Sequence, residues 1–170
     1  MKITNKHVFF WGGIFSNWYK CEFDAEIDGK VYHFHNTEQY FMFMKAITFK
    51  DMNSANQILK KGKNPKIAKM IGRLVKNFDD DVWDEKKYSI MLDANYLKFS
   101  SSKEMKEELL KDEYKGKGFV EASPFDKIWG IGTSENYASD NESSWEGENL
   151  LGKVLDDVRN LIISEEHETT

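Results

Sequence analysis

Between Cys21 and His35 the chain alternates polar and apolar residues, CEFDAEIDGKVYHFH, and from Thr37 onward the alternation stops. A period of two belongs to a half-buried strand and a period of 3.6 to a helix, so this change of step limits the fold to a mixed architecture. Asp28-Gly29 interrupts the alternating stretch with a hairpin signal, because both central positions of the favoured two-residue turn need positive φ. We therefore expect strands near 21–27 and 30–35. The stretch HVFFWG, residues 7–12, reads as a further short strand leading through Gly12 and Gly13 into a turn. A helix then begins around Asn36 or Thr37. With Asn36 as its cap, Gln39 falls at the third helical position, where its amide can complete a capping box.

Helical spacing governs most of the chain beyond this point. MNSANQILKKG predicts a short helix ending near Gly62, and Asn64-Pro65 marks the start of the next. Its apolar side is expected from Ile67, Met70, Ile71 and Leu74. Residues 84–99 repeat the pattern through Tyr88, Met91, Leu92, Asn95, Tyr96 and Phe99, and another helix opens near Ser102 with Met105, Leu109 and Leu110 inward. The last, over 149–163, is expected to bury Leu150, Leu151, Val154, Leu155, Val158, Leu161 and Ile162. Gly116 through Trp145 breaks the rhythm with Gly, Ser, Asn and acidic residues. Long connections without secondary structure cost ordering entropy and usually serve a function. The apolar residues Phe119, Phe125, Ile128, Trp129, Ile131, Tyr137 and Trp145 argue for an ordered loop over a cleft. The expected class is mainly α with a small N-terminal β component (α+β), as one compact domain over 1–163 followed by a flexible acidic tail over 164–170.

With 170 residues, 40% hydrophobic, the chain has enough apolar material for a filled core. A net charge of −5 gives no whole-surface attraction to nucleic acid or membranes, while 24 basic residues leave room for a local phosphate pocket. The lone Cys21 excludes an intramolecular disulfide. No signal-like run and no run of 18 apolar residues is present, so a cytoplasmic location without membrane spans is expected.

For chemistry, the first feature is HNTEQYFMFMKA, residues 35–46, where Glu38, Gln39 and Lys45 stand among bulky apolar side chains. Glu38 and Lys45 are seven residues apart, so on a helix their directions differ by about 20° with about 10 Å between them along the axis. Both can address one small ligand. Phe41 and Met42 lie between them, and a carboxyl against such side chains has its proton affinity raised by desolvation, which suits proton donation near neutral pH. A solvated Glu38 in the first turn, favoured by the helix dipole, is the plainer reading. In the long loop, Glu121 and Asp126 flank an Ala-Ser-Pro-Phe turn, and Trp129-Gly130-Ile131-Gly132 offers an indole for stacking; a tryptophan-anchored surface loop explains the same residues. Arg73 and Arg159 can each fork onto a phosphate or a carboxylate, or serve as structural ion pairs. His33 and His35 share a strand face with Glu38 nearby in sequence, a loose set that gives no metal assignment. Metal-site, P-loop and dinucleotide signatures are absent, and no cofactor is expected.

FSNWYKCEF at 15–23, YHFHNTEQYFMFMKA at 32–46, AKMIGR at 68–73, FVEASPFDKIWGIG at 119–132 and WEGENLLGKVLDDVR at 145–159 occur in order. Together they strongly resemble the YbiA-like, or NADAR, family over roughly residues 8 to 162. The resemblance implies a largely helical N-glycosidase. It also implies a substrate with a ribose C1–N bond to a planar heterocycle and phosphate on the ribose side. Early riboflavin-pathway intermediates and ADP-ribosylated guanine in nucleic acid are the two substrate classes it brings. Carried over by position, Glu38 matches the family's acidic residue, Lys45 the lysine closing that helix, and Arg73 the arginine ending the GR helix. Glu121, Asp126, Trp129 and Gly132 fall in the loop motif, and Asn149, Gly152 and Arg159 in the last one. Asn36 stands where many relatives have proline, and Gln39 where they often have histidine.

The site expected on this basis has Glu38, Lys45 and Asp126 as catalytic groups. Asn17, Arg73, Glu121, Trp129, Gly132, Asn149 and Arg159 would bind the substrate. Glu38 would be the acid–base or cation-stabilising group. Lys45 would either hold the 5-phosphate or form a Schiff base with an opened ribosylamine, and Asp126 or Glu121 would orient water. The rivals are a module that binds ADP-ribose or a nucleotide without cleaving it, and a helical scaffold with buried polar networks.

Overall fold

The computed structural model describes residues 1–170, which group into two compact units. One is continuous, Asn17–Ser101; the other joins Met1–Ser16 to Ser102–Thr170. No linker-like composition marks this division, which is why the sequence predicts one undivided domain.

The continuous unit starts with the hairpin. Strands β3 (Phe23–Ile27) and β4 (Lys30–Phe34) pair antiparallel with Asp24 opposite His33. Asp28 and Gly29 take φ of 51° and 78° at the turn, as the Asp-Gly pair requires. One hairpin face buries Phe23, Ala25 and Phe34. Four helices follow: α1 (Thr37–Thr48), α2 (Met52–Lys61), α3 (Pro65–Gly72) and α4 (Asp80–Ser100). Helix α1 packs on the other three. Each has a side-chain cap, from Asn36, Asp51, Asn64 and Asp79 respectively.

Two sequence expectations change here. Helix α3 buries Ala68 and Gly72 rather than the predicted stripe, and Met70 and Leu74 are exposed. Small residues win because α3 lies so close to α1 that a Cβ at Gly72 would collide with the Met42 sulfur. Helix α4 begins four residues before the predicted 84, because Asp79 caps it by accepting from the Val82 N–H.

The other unit carries a three-stranded sheet with order β1 (Lys2–Ile3), β2 (His7–Phe10), β5 (Gly118–Glu121). Strand β2 pairs antiparallel with β1 and parallel with β5. The sequence predicts no secondary structure at 118–121; a four-residue strand between Lys117 and Ala122 presents too few alternations to be read. Helices α5 (Lys103–Leu109) and α6 (Leu150–Glu168) and short 3-10 turns at Asp112–Tyr114 and Glu142–Ser144 complete this unit. Helix α6 lies on β5, and Gly152 permits it: a Cβ there would strike the Phe119 carbonyl. Residues 164–168, expected in a flexible tail, continue α6 as exposed turns, since nothing in SEEHE breaks a helix. Leu161 is exposed rather than inward. Strands confined to small sheets and six α-helices give the expected α+β class.

Candidate active site

Helix α1 presents the carboxylate, amide and amine that the sequence singled out, and the structure gives them different work. Gln39 is fully buried and structural. Its Oε1 accepts from the His35 N–H at 2.8 Å, and its Nε2 donates to the Ile58 and Leu59 carbonyls at 3.1 and 3.4 Å, closing the end of α2. The return bond expected for a capping box thus reaches His35, one residue before the cap. Asn36 accepts from the Gln39 N–H and donates to the Gly62 and Lys63 carbonyls. These bonds fix the N-terminus of α1, and with it Thr37 and Glu38, the two residues between them.

Glu38 is 8% exposed, so the solvated first-turn reading does not hold. Its backbone N–H donates to the Asn17 carbonyl at 3.1 Å. Thr37 hydroxyl donates to the same carbonyl and contacts the Asn17 Oδ1, at 3.0 and 3.1 Å, so Asn17 is held against the start of α1 with its amide nitrogen uncommitted. Two turns on, the Lys45 ammonium lies 4.6 Å from the Phe78 ring centroid and 5.8 Å from that of Trp83. Burial lowers its proton affinity; the Glu38 charge opposes that, Arg73 adds to it, and Asp80 opposes it. Glu38, Lys45 and Arg73 therefore share one electrostatic neighbourhood, of which the seven-residue spacing predicted only the Glu38 and Lys45 part. Arg73, at the C-terminus of α3, is exposed with its guanidinium available to an anion.

Lys98 was not anticipated. It is fully buried in α4, its nitrogen 5.5 Å from the Tyr19 ring centroid and 5.0 Å from that of Phe99. Desolvation brings its pKa down to about 7, against a weaker opposing influence of Cys21. The segment that holds Glu38 through Asn17 continues to Tyr19 and Cys21 beside Lys98, and Cys21 contacts the Lys98 carbonyl and the Ser101 hydroxyl. The available signal was periodicity: Met91, Ala94 and Lys98 form one inward stripe, and a lysine on such a stripe is out of place.

The remaining candidates belong to the other unit, and most hold the backbone. Asp126 Oδ1 accepts from the Ile128 and Trp129 N–H groups at 2.9 and 2.8 Å. Asn149, left-handed at φ 54°, uses its side chain as a strand edge: Oδ1 accepts from the Glu121 N–H and Nδ2 donates to the Phe119 carbonyl, both at 3.0 Å. Arg159 donates to the Tyr114 and Lys117 carbonyls at 3.1 and 2.7 Å, pairs with Asp156 at 3.0 Å, and lies 4.7 Å from the Phe119 ring. Gly132, at φ 71°, forms a turn closed onto the Asp126 carbonyl. Glu121 ends β5 half-buried, and Trp129 is half-buried with its carbonyl accepting from Leu151.

A set of helices, a buried carboxylate and a partnered lysine on one helix are features that many proteins share; relationship decides among them. Residues 9–163 match the NADAR domain. The chain belongs to the NADAR family. This NADAR chain is 41% identical to an N-glycosidase of Acanthamoeba polyphaga mimivirus, over 92% of itself and 96% of the relative. It is 38% identical to the protein irg-1 of Caenorhabditis elegans, over 86% of itself and 74% of that protein. Its fold matches the solution NMR structure of E. coli YbiA with a TM-score of 0.73 at 24% identity, covering 98% of this chain and 90% of YbiA. It is an enzyme of the N-glycosidase class. No helix is long and apolar enough to cross a membrane.

Proposed function

We propose that the chain hydrolyses the ribose C1–N bond of a phosphorylated ribosyl compound, with a riboflavin-pathway ribosylamine or an ADP-ribosylated guanine as the substrate class. The observation that carries this reading is the α1 arrangement: a buried Glu38 and a half-buried Lys45 in mutual electrostatic reach, with Arg73 adding to the same field. Breaking the bond builds positive charge on the sugar and negative charge on the leaving nitrogen. Glu38 serves as the acid–base or cation-stabilising group, the task carboxylates perform in other glycosidases. Lys45 and Arg73 take the phosphate side, contributing position rather than bond making. The Phe78 and Trp83 rings favour the charged form of Lys45 while its burial favours the neutral one, so a borohydride adduct on Lys45 during turnover would mark a Schiff base there and its absence the electrostatic role. Asn17 contributes a free amide donor beside the acid. A cytoplasmic location accords with substrates of this kind.

The test is product analysis with four compounds side by side: a phosphorylated ribosylaminopyrimidine, NAD, free ADP-ribose and ADP-ribosylated guanine. Release of ribose 5-phosphate or ADP-ribose from one of them, in catalytic amounts, supports the proposal. Tight retention of ligand without release would establish the rival binding module instead. Borohydride added during turnover separates routes: an adduct on Lys98 marks covalent chemistry at the amine with pKa about 7, and no adduct on any lysine supports direct attack by water.

A further inference from the structure

The solvent face of the hairpin gathers side chains that the glycosidase reading does not use. His33 on β4 and His35 just past its end lie on the same side by continued alternation, as do Asp24 on β3 and Glu22 just before it. The sequence suggested Glu38 as the carboxylate near the two histidines, but Glu38 is buried at the start of α1 and Glu22 takes that place. Glu22 Oε1 lies 3.0 Å from His35 Nδ1 and 3.5 Å from His33 Nε2. The two rings meet edge to face with centroids 5.1 Å apart. One ligand atom from each of Glu22, His33 and His35 falls within 4.8 Å of the others.

Three features argue for more than a chance cluster. Tetrahedral zinc with nitrogen and oxygen ligands at about 2.0–2.2 Å places those atoms about 3.3 Å apart, and the two Glu22–histidine separations bracket that spacing. His33 Nδ1 is 2.6 Å from Asp24 Oδ1, so a proton held there would leave Nε2 to the ion, which would take the place of any proton between Nε2 and Glu22. A carboxylate gripping the far nitrogen of a ligating histidine is the usual outer support of a metal site. Thirdly, Glu22, Asp24 and His33 line a solvent-open hollow of ≈ 380 Å³ together with Ser100 and Ser101, which gives an ion and its water an entry. Two carboxylates and two neutral imidazoles would match the charge of one divalent ion.

We propose that Glu22, His33 and His35 form a zinc site on the hairpin, with Asp24 orienting His33 and water in the remaining position. Only the His33–His35 separation has to close, and His33 and Glu22 are each about half exposed and free to turn. The site rests on the hairpin alone and stands or falls apart from the glycosidase assignment.

Isothermal titration of the full metal-stripped chain with zinc chloride tests it, with Co²⁺ absorption reporting geometry. One equivalent should bind with a tetrahedral cobalt spectrum. Glu22→Gln and His33→Ala should abolish binding, and Asp24→Asn should weaken it about 10–100-fold. These positions are exposed, and circular dichroism of each variant verifies folding. His167→Ala, on α6, should change nothing. Zinc binding of equal strength in the Glu22→Gln variant, binding lost with His167 instead, or no saturable binding to the wild-type chain would overturn the proposal.

Discussion

Helix α1 and the 122–149 loop both carry strong family-like motifs, yet their polar residues have opposite fates. In the loop, Asp126, Asn149 and Gly132 are committed to backbone groups, and Arg159 does the same from α6. On α1, the neighbours Asn36 and Gln39 bond to the backbone around the helix start, while Glu38 is buried beside them and its charge acts on Lys45. A motif can therefore persist for two reasons. On the proposed reading, one kind of residue performs the reaction and the other shapes the chain that carries it. For the loop residues, bonds to the backbone give a structural account that motif membership alone does not.

The comparison is most exposed at Glu38. Glu38→Gln keeps volume and most bonding capacity while removing the ionisable proton, so turnover should fall about 10²–10⁴-fold with little change in the denaturation midpoint. Product release measured against urea stability decides it. Near-wild-type turnover would place Glu38 with the structural group. Arg159→Met is the converse case. It takes the guanidinium donor from the Lys117 carbonyl, and one of two donors each from the Tyr114 carbonyl and Asp156, at a cost of about 2 kcal/mol, while turnover per folded molecule is retained. A variant of normal stability that has lost activity would return Arg159 to the substrate.

Lys98 gives a smaller and more graded test. Its folded pKa of about 7 lies below the ordinary 10.5. Between those values the unfolded chain binds the extra proton, so this group makes the protein more stable as pH rises across the window. Against a Lys98→Met variant, wild-type stability should gain up to about 1.4 kcal/mol per pH unit between pH 7 and 10. Parallel curves would mean that the buried amine keeps an ordinary proton affinity.

The hairpin, the cap at Asn36 and the shared side of Glu38 and Lys45 were legible because each rests on local spacing or on one strong turn residue. Burial of Ala68 and Gly72 in place of Ile67 and Met70 was not, since interhelical distance is set by the partner and not by the helix itself. Strand β5 was hidden for a related reason: its pairing with β2 joins residues more than a hundred positions apart. Spacing also could not show which polar groups the backbone had already claimed. Asp126 and Arg159 look as reactive in the sequence as Glu38 does, and their bonds to the backbone are not visible there.

Asp126 sharpens that distinction with the smallest expected effect. If its work is to accept two N–H bonds, an amide oxygen can replace the carboxylate, because Asn presents the same Oδ1 at the same reach. Asp126→Asn should then hold turnover within about threefold of wild type, a change of under about 1 kcal/mol in the barrier. Asp126→Ala, which removes the acceptor, should cost about 1–2 kcal/mol of stability. Steady-state rates and urea curves of the pair read the two roles independently. A loss of turnover in Asp126→Asn at unchanged stability would mean that its charge acts on water or substrate, and that saturation by backbone partners does not exclude a side chain from the chemistry.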